Sequence, residues 1–243
     1  MPGQENSIDV SVVIPVYNEE KFIAECIGRV GQFMALKNWR WELIISNDGS
    51  SDTTARIVKE LVLKRHDDKI KLAGYDDNRG KGAAVREGVK AASGRVILVS
   101  DADLSAPIKE MDKLIKALEE GYEVAIGSRA VHAKDCDVQQ SFKRWFAGRI
   151  FNALVRTIVV CGFGDTQCGF KCFKKETAKN LFSAQRLEGF SFDVEILYLA
   201  QKKGLKIKEV PVMWREGKDS RIRLVRDSIR MVRELFLIRK YHK

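Results

Sequence analysis

Two aspartates separated by one residue, Asp101 and Asp103, are the side chains in this sequence that most directly suggest chemistry. They follow the apolar run at residues 96–100, and alternate side chains of an extended segment point the same way, so both carboxylates can share one hard divalent cation. Mg²⁺ or Mn²⁺ held by few carboxylates keeps coordination positions for diphosphate oxygens. A helix cap followed by a solvated acid is the competing interpretation, because so short a motif is weak by itself.

Three more polar segments indicate a nucleotide site. Residues 15–20, Pro-Val-Tyr-Asn-Glu-Glu, offer an aromatic face, and residues 47–52 place Asp48 where a carboxylate can accept hydrogen bonds from a ribose or a base edge. Residues 78–82, Asn-Arg-Gly-Lys-Gly, open a helix with N–H groups and cations suited to a diphosphate. The last segment matches neither the phosphate loop of ATPases nor the G-x-G-x-x-G of dehydrogenases. Ordinary turns are the alternative for each segment, because Gly, Asn and Asp are common in turns.

The elements that would position these side chains alternate along the chain. Strands are predicted at residues 10–16, 42–46, 70–75, 95–100 and 124–127, and helices at 19–36, 53–66, 81–92 and 108–120, with Asp52 and Ser105 as N-caps. Beyond Arg129 follow a polar segment, helices around 145–160 and 192–203, and a strand near 206–212. This order predicts an α/β fold with a doubly wound, mostly parallel sheet, whose ligands bind beyond the carboxyl ends of the strands.

Length and composition limit the possible domain organisation of the chain. With 243 residues, 45% of them hydrophobic, the chain can form one large domain, expected at residues 1–214, followed by a basic loop and an amphipathic helix at 215–243. Residues 202–243 contain fourteen Lys or Arg and five Asp or Glu, so they carry nine of the ten net positive charges. Five cysteines without a secretory leader pattern predict reduced thiols, and Cys168 and Cys172 are expected to be buried and not zinc ligands. No run approaches the ~20 apolar residues of a spanning helix, so we expect no transmembrane segment.

Four segments, taken in order, resemble the inverting family-2 glycosyltransferases of the GT-A fold. They are P-V-Y-N-E-E at 15–20, R-G-K-G at 79–82, D-T-Q-C-G-F-K at 165–171 and F-D-V-E-I-L-Y-L-A at 192–200. The subgroup that they resemble most is the dolichyl-phosphate sugar synthases, first the β-glucosyltransferases and next the mannose synthases. The resemblance implies metal-dependent transfer of a sugar onto dolichyl or another polyprenyl phosphate, with UDP-glucose favoured over GDP-mannose as donor. A polysaccharide or protein acceptor is the more distant alternative.

The resemblance also implies roles for individual residues. Nucleotide contacts are expected from Pro15, Tyr17, Asn18, Glu19, Asn47, Asp48, Lys81, Asp101 and Ala102. The expected catalytic residues are Asp101, Asp103, Arg129 and Asp165, with the metal on the first two. The acceptor phosphate is assigned to Arg129 and Arg144, and a mobile basic loop over the diphosphate to Arg215, Ser220 and Arg221. A structural turn is an equal alternative for Asp165. Two departures leave the donor open, because Ser105 replaces a Gln usual in mannosyl relatives and Asn47 replaces the first Asp of D-D-G-S.

The basic tail predicts contact with an anionic membrane surface. One helical stripe holds Ile222, Val225, Ile229, Val232 and Phe236, and another holds Arg223, Arg226, Arg230 and Arg233. This pattern is typical of an interfacial helix, so we expect a peripheral protein on the cytoplasmic side of a membrane. A helix packed on the domain with a solvated basic face is the alternative. Nucleic acid is not an expected partner, because no helix-turn-helix, zinc or RNA-binding signature accompanies the charge. The intact carboxylates and arginines disfavour a non-catalytic protein that only recruits partners.

Overall fold

The computed structural model describes residues 7–65, 68–131, 137–139, 142–215 and 224–243, without the side chains of 65, 142–147, 150 and 224–229. Its strands are β1 (Val10–Val16), β2 (Trp41–Asp48), β3 (Ile70–Tyr75), β4 (Val96–Val99), β5 (Val124–Ser128), β6 (Val138–Gln139), β7 (Lys171–Lys174), β8 (Ile207–Pro211) and β9 (Trp214–Arg215). Its helices are α1 (Ile23–Ala35), α2 (Thr54–Arg65), α3 (Lys81–Ala91), α4 (Met111–Glu119), α5 (Phe142–Ile158), α6 (Lys175–Ala184), α7 (Phe192–Lys202) and α8 (Leu224–Tyr241), with a short 3₁₀ helix at Ile108–Glu110.

One sheet contains seven of these strands in the order β3-β2-β1-β4-β7-β5-β8. Neighbouring strands are parallel except at β7, which is antiparallel to both β4 and β5. The expected doubly wound, mostly parallel sheet is therefore confirmed. The sequence pattern did not predict β7 or the helix α6 that follows it. β7 is only four residues long and has a lysine at each end, so it contains no apolar run.

Two apolar cores cover the two faces of the sheet. Val12 and Ile14 of β1 pack into the first core, which α1, α2 and α4 cover, while Val13 between them packs into the second core under α3 and α5 to α8. Because both faces are covered, the central strands are continuously apolar and not alternating. The buried thiols of the described residues are Cys26, Cys168 and Cys172.

The C-terminal helix α8 packs on the domain through one face. Met231, Leu235 and Ile238 are buried in the second core, where α8 contacts α5 and α7. Just beyond the helix, His242 Nε2 lies 2.6 Å from Oε1 of Glu195, a buried carboxylate of α7. This end of the chain is therefore attached to the second core by apolar packing and by a polar contact.

The outer side of α8 carries exposed basic and aromatic side chains. Arg230 and Arg233 are exposed, and Phe236 is 60% exposed. Of the predicted apolar stripe, Val232 packs partly buried against the second core, and the side chains of residues 222, 225 and 229 lie outside the described residues. Within the described ranges, no helix combines the length and the apolar character that a membrane crossing requires.

The first helix begins later than the sequence pattern suggests. α1 starts at Ile23 and not at Glu19, because the backbone before it is bound to the loop after β2. The N–H of Glu19 donates to Thr54 Oγ1 (2.7 Å) and that of Glu20 to Asp52 Oδ2 (3.2 Å). Asp52 Oδ1 accepts from the N–H of Thr54, the first residue of α2, so Asp52 binds the start of this helix from one residue before the N-cap position, which Thr53 occupies.

Candidate active site

Asp101 follows the carboxyl end of β4, beside the start of α3. Its Oδ1 lies 2.6 Å from Nζ of Lys81, the first residue of α3. The carboxylate also packs against Gly169, in the turn before β7. A Cβ at Gly169 would lie 2.5 Å from Cγ and 2.7 Å from Oδ1 of Asp101, closer than real Cβ atoms approach. Asp101 is therefore held by the Lys81 ammonium on one side and by the backbone at Gly169 on another.

Asp103 is exposed, and a tight turn fixes its carboxylate. Ser105 donates to it twice, from its N–H to Oδ1 (2.9 Å) and from its hydroxyl to Oδ2 (2.6 Å). The prediction that Ser105 caps a helix is wrong, because the 3₁₀ helix starts only at Ile108 and the Ser105 side chain is engaged by Asp103. The carbonyl of Ser105 accepts from the N–H of Arg215 (2.9 Å), so exposed Arg215 lies alongside the acidic turn.

A second ion pair lies behind Lys81. Lys171 Nζ is 2.6 Å from Asp193 Oδ1 and 2.6 Å from the carbonyl oxygen of Cys168, and both charged side chains are buried. Burial disfavours the charged form of Lys81, but the carboxylates of Asp101 and Asp193 outweigh it and raise the pKa of Lys81. Burial raises the pKa of Asp193, while the charge of Lys171 acts in the opposite direction. Two lysines and two aspartates thus alternate in sign along this part of the site.

Asp48, at the end of β2, organises the loop that leads into α3. Its Oδ1 accepts from the N–H groups of Arg79 (2.9 Å) and Gly80 (3.0 Å), and its Oδ2 from Asn78 Nδ2 (2.9 Å). Gly80 has a φ of 117°, which favours glycine. Both carboxylate oxygens therefore fix the backbone just before Lys81, and direct nucleotide contact by Asp48 stays a prediction.

The loops after β1 and β2 are bonded to each other. Asn18, with a φ of 53°, donates its N–H to Ser50 Oγ (2.9 Å) and accepts at Oδ1 from the N–H of Ser51 (2.8 Å). Asn47 Oδ1 accepts from the N–H of Ser50 (3.2 Å). Tyr17, between these loops and solvent, is 37% exposed. Among the remaining predicted nucleotide contacts, Pro15 is buried in β1 and Ala102 packs partly buried against the first core. The predicted nucleotide residues thus share one edge of the sheet, and their contacts with a ligand stay predictions.

Arg129 and Asp165 form a bidentate pair beyond the end of β5. Arg129 Nε lies 2.6 Å from Asp165 Oδ2 and its Nη2 lies 2.9 Å from Oδ1. Burial opposes ionisation of Asp165, but the charge and hydrogen bonds of Arg129 lower its pKa to about 2. Glu209 of β8 holds the turn by accepting from the N–H of Asp165 (2.8 Å). The structure thus gives Asp165 two kinds of contact: it binds the Arg129 guanidinium, and its Oδ1 accepts from the N–H of Gln167 (3.1 Å) within its own turn.

Trp214 connects the acidic and the basic parts of the site. The Arg129 guanidinium carbon lies 5.3 Å from the centre of the Trp214 ring, within the range of a cation–π contact. Trp214 also lines a small cavity together with Asp101 and Gly169. One aromatic side chain therefore contacts the guanidinium of Arg129 and lines a cavity that Asp101 also lines.

Three predicted residues cannot be placed in the site. The backbone of Arg144 lies in α5, but its side chain is outside the described residues. Ser220 and Arg221 fall in a segment outside the described residues. Their assignments to the acceptor phosphate and to the diphosphate loop stay predictions.

Four residues of this site were not predicted as site residues from the sequence. They are Gly169, Lys171, Asp193 and Trp214. The first three lie in the two longest segments that carry the family resemblance, which was the available signal. Trp214 had no signal, because its importance depends on the strand β9 that places it beside Arg129.

The acidic pair suits a divalent cation that shares its coordination with a ligand. Asp101 and Asp103 supply hard carboxylate oxygens, and no cluster of three or more His, Cys, Asp or Glu able to hold a metal occurs among the described residues. Mg²⁺ is commonly bound through one or two carboxylates together with substrate phosphates, and not in an all-protein cage. The residues present therefore fit a cation that binds with a diphosphate.

The sheet is mostly parallel, an acidic pair follows a central strand, and positively charged side chains lie on both sides of that pair. This is the arrangement of a nucleotide-sugar transferase of the GT-A fold. The chain belongs to glycosyl transferase family 2, whose pattern matches residues 11–182. It is similar to the dolichyl-phosphate beta-glucosyltransferase of Drosophila melanogaster, with 37% identity over 96% of this chain and 74% of the relative. It is also similar to the dolichyl-phosphate beta-glucosyltransferase of Saccharomyces cerevisiae, with 36% identity over 97% of this chain and 75% of the relative.

Solved structures share the fold. Glucosyl-3-phosphoglycerate synthase from Mycobacterium tuberculosis, in complex with Mn²⁺, UDP and glucosyl-3-phosphoglycerate, superposes with a TM-score of 0.69 at 19% identity, covering 95% of this chain and 78% of that chain. Its complex with Mn²⁺ and UDP-glucose gives a TM-score of 0.67 at 18% identity, covering 95% and 77%. The expected GT-A architecture is confirmed by this likeness.

Proposed function

We propose that this protein is an inverting glucosyltransferase that uses UDP-glucose and a divalent cation to glucosylate dolichyl or another polyprenyl phosphate. The names of the relatives support the acceptor and the sugar, since those from Drosophila melanogaster and Saccharomyces cerevisiae are dolichyl-phosphate beta-glucosyltransferases. The synthase of the same fold, solved with Mn²⁺ and UDP-glucose, supports the donor and the cation. GDP-mannose as donor is the alternative, and Mg²⁺ is an equal candidate for the cation.

The observation that carries this proposal is that Trp214 contacts Arg129 and lines a cavity together with Asp101. Asp101 with Lys81 marks the donor end, where the N-terminus of α3 and the ammonium can bind diphosphate oxygens. Arg129 marks the acceptor end, because a guanidinium binds phosphate through directed N–H groups. Trp214 borders both ends, so a sugar held between them has one aromatic wall.

Different residues of the chain then have different roles in the transfer. A phosphate monoester, with a second pKa near ~6, is largely ionised at neutral pH and needs no strong general base. Asp165 occupies Nε and Nη2 of Arg129, so we assign Nη1 to the acceptor phosphate. Lys81 and Arg215 bind the diphosphate and stabilise the charge that develops as it leaves. A bound cation on Asp101 and Asp103 supplies further charge neutralisation for the same leaving group.

A membrane surface is the proposed location of this reaction, on the cytoplasmic side and through peripheral contact. The lipid acceptor requires it, and exposed Phe236 with Arg233 on the outer side of α8 suits an anionic interface. We assign the transferase domain to residues 1–214 and the membrane contact to residues 215–243. The packing of α8 on α5 and α7 supports a contact surface that is fixed to the catalytic domain.

The direct test is transfer of labelled glucose from UDP-glucose to dolichyl phosphate by purified protein with Mn²⁺. Product extractable into organic solvent is expected, with β configuration by NMR. EDTA and Asp103→Ala should each abolish it, whereas Asp112→Ala, which removes an exposed carboxylate paired with Lys37, should not. Transfer from GDP-mannose but not from UDP-glucose would contradict the assigned donor. Product formed only on polysaccharide or protein would contradict the assigned acceptor.

A further inference from the structure

The buried pair Lys171–Asp193 takes no direct part in the chemistry described above. Relative exposure is 3% for Lys171 and 5% for Asp193, and the ammonium lies 2.6 Å from one carboxylate oxygen. A pair this deeply buried contributes little net stability, because desolvation of two charges offsets their attraction. Apolar side chains of similar volume would serve the packing as well, so a reason other than stability is needed for these charges.

Lys171 controls the backbone that touches Asp101. Its ammonium donates to the carbonyl of Cys168 (2.6 Å), and this hydrogen bond closes the turn that contains Gly169. β7 pairs with β4 in a register that places Lys171 opposite Val99, so this turn lies beside the segment that leads to Asp101. Gly169 lies so close to the carboxylate of Asp101 that a Cβ at this position would overlap it. Release of Lys171 would therefore free the turn against which Asp101 is packed.

Asp193 acts on the same carboxylate through Lys81. The start of α7 is packed tightly on the start of α3, since a Cβ at Gly82 would lie 2.7 Å from Cβ of Phe192. This packing places Asp193, the residue after Phe192, near the start of α3, where the Lys81 ammonium binds Asp101. Asp193 is thus a negative charge behind a lysine that holds a proposed metal ligand.

We propose that Lys171 and Asp193 are positioning residues that orient Asp101 for joint binding of the divalent cation and the nucleotide diphosphate. This inference rests on the proposed metal-dependent function. Asp193 holds the Lys171 ammonium, and Lys171 holds the turn at Gly169, so Asp101 meets the cation in one orientation. Partners of metal ligands typically change metal affinity by about 10- to 100-fold when they are removed.

The test measures Mn²⁺ binding in the presence of UDP by the loss of the free Mn²⁺ signal in electron paramagnetic resonance. Asp193→Asn should weaken Mn²⁺ binding at least about tenfold. The matched control is Glu42→Gln, which disrupts another buried carboxylate, 1% exposed and 2.6 Å from Lys71, near the amino-terminal end of β2 and away from the site. Equal Mn²⁺ affinity in wild type and Asp193→Asn would overturn the proposal, as would equal weakening in Glu42→Gln.

Two further variants separate positioning from folding. Asp193→Glu keeps the charge and should recover most of the Mn²⁺ affinity. The double variant Lys171→Met/Asp193→Leu replaces the pair by apolar groups. Its unfolding temperature should equal or exceed that of wild type, and its Mn²⁺ affinity should stay below that of wild type. Wild-type affinity in the double variant would show a purely structural pair and refute positioning. If wild-type protein binds no Mn²⁺ with UDP, the proposed function fails instead, so the two failures are distinguishable.

Discussion

Gly169→Ala is the sharpest single test of how Asp101 is held. The new Cβ would lie 2.5 Å from the carboxylate carbon of Asp101. Normal contact requires the two groups to separate by about 1 Å, and a misplacement of this size costs on the order of 10²-fold in rate. The same movement would stretch the 2.6 Å ion pair between Asp101 and Lys81. We therefore expect transfer to fall about 100-fold while the fold is kept.

The assay is the initial rate of glucolipid formation at saturating UDP-glucose and Mn²⁺, with thermal unfolding followed by circular dichroism. Gly28→Ala is the matched control, because it makes the same chemical change inside α1 where a Cβ has no atom within 4 Å. That variant should keep full activity and gain about 0.5–1 kcal/mol of stability from its helical alanine. A Gly169→Ala enzyme as fast as wild type would refute the argument that Asp101 needs this close backbone.

Three other predictions concern the acceptor end, acid stability and the membrane. Asp165→Asn should raise the apparent KM for polyprenyl phosphate with little change in the UDP-induced thermal shift, because Arg129 at the acceptor end loses its charged partner; a change in both would contradict this. The pKa of Asp165 is lowered to about 2 from 3.8, so its contribution to stability is present above pH 3.8 and lost as the pH falls toward 2. Urea unfolding across that window should therefore show a weaker pH dependence in Asp165→Asn than in wild type. Phe236→Ser should reduce co-sedimentation with anionic vesicles, whereas Leu63→Ser, a change at another exposed apolar residue, should not.

The sequence predicted the parts of the fold that depend on local patterns. β1, β3 and α3 lie within one residue of their expected bounds, because apolar runs and helical spacing define them without tertiary contacts. β7 was not predicted, since its pairing with β4 and β5 gives a short charged segment a place in the sheet. The buried position of Lys171 within it depends on Asp193, which lies 22 residues away.

The site shows the same division between local and distant information. The sequence predicted the acidic pair and its place after a strand. The extended alternation assumed for the pair is wrong, because β4 ends at Val99 and the N–H of Leu104 donates to the carbonyl of Asp101 (3.1 Å) to close a turn. The sequence could not predict that Asp165 holds Arg129, because these residues are 36 positions apart in the sequence. They meet because β5, which Arg129 follows, pairs with β8, whose Glu209 binds the turn at Asp165. Nor could it predict that Ser105 serves Asp103, since a serine after an aspartate equally suits a helix cap.

The antiparallel insertion of β7 affects how a nascent chain can fold. β5 has β7 and β8 as its sheet neighbours, and both follow it in the sequence. Synthesis from Ser128 to Lys174 takes roughly 2 to 10 s at ~5–20 residues per second, and during that time β5 has no partner strand. Its five residues are all buried in the finished sheet, so an apolar edge stays open to wrong pairing on the ribosome. Chaperones that shield this edge should therefore raise the yield of folded protein more than they raise its final stability.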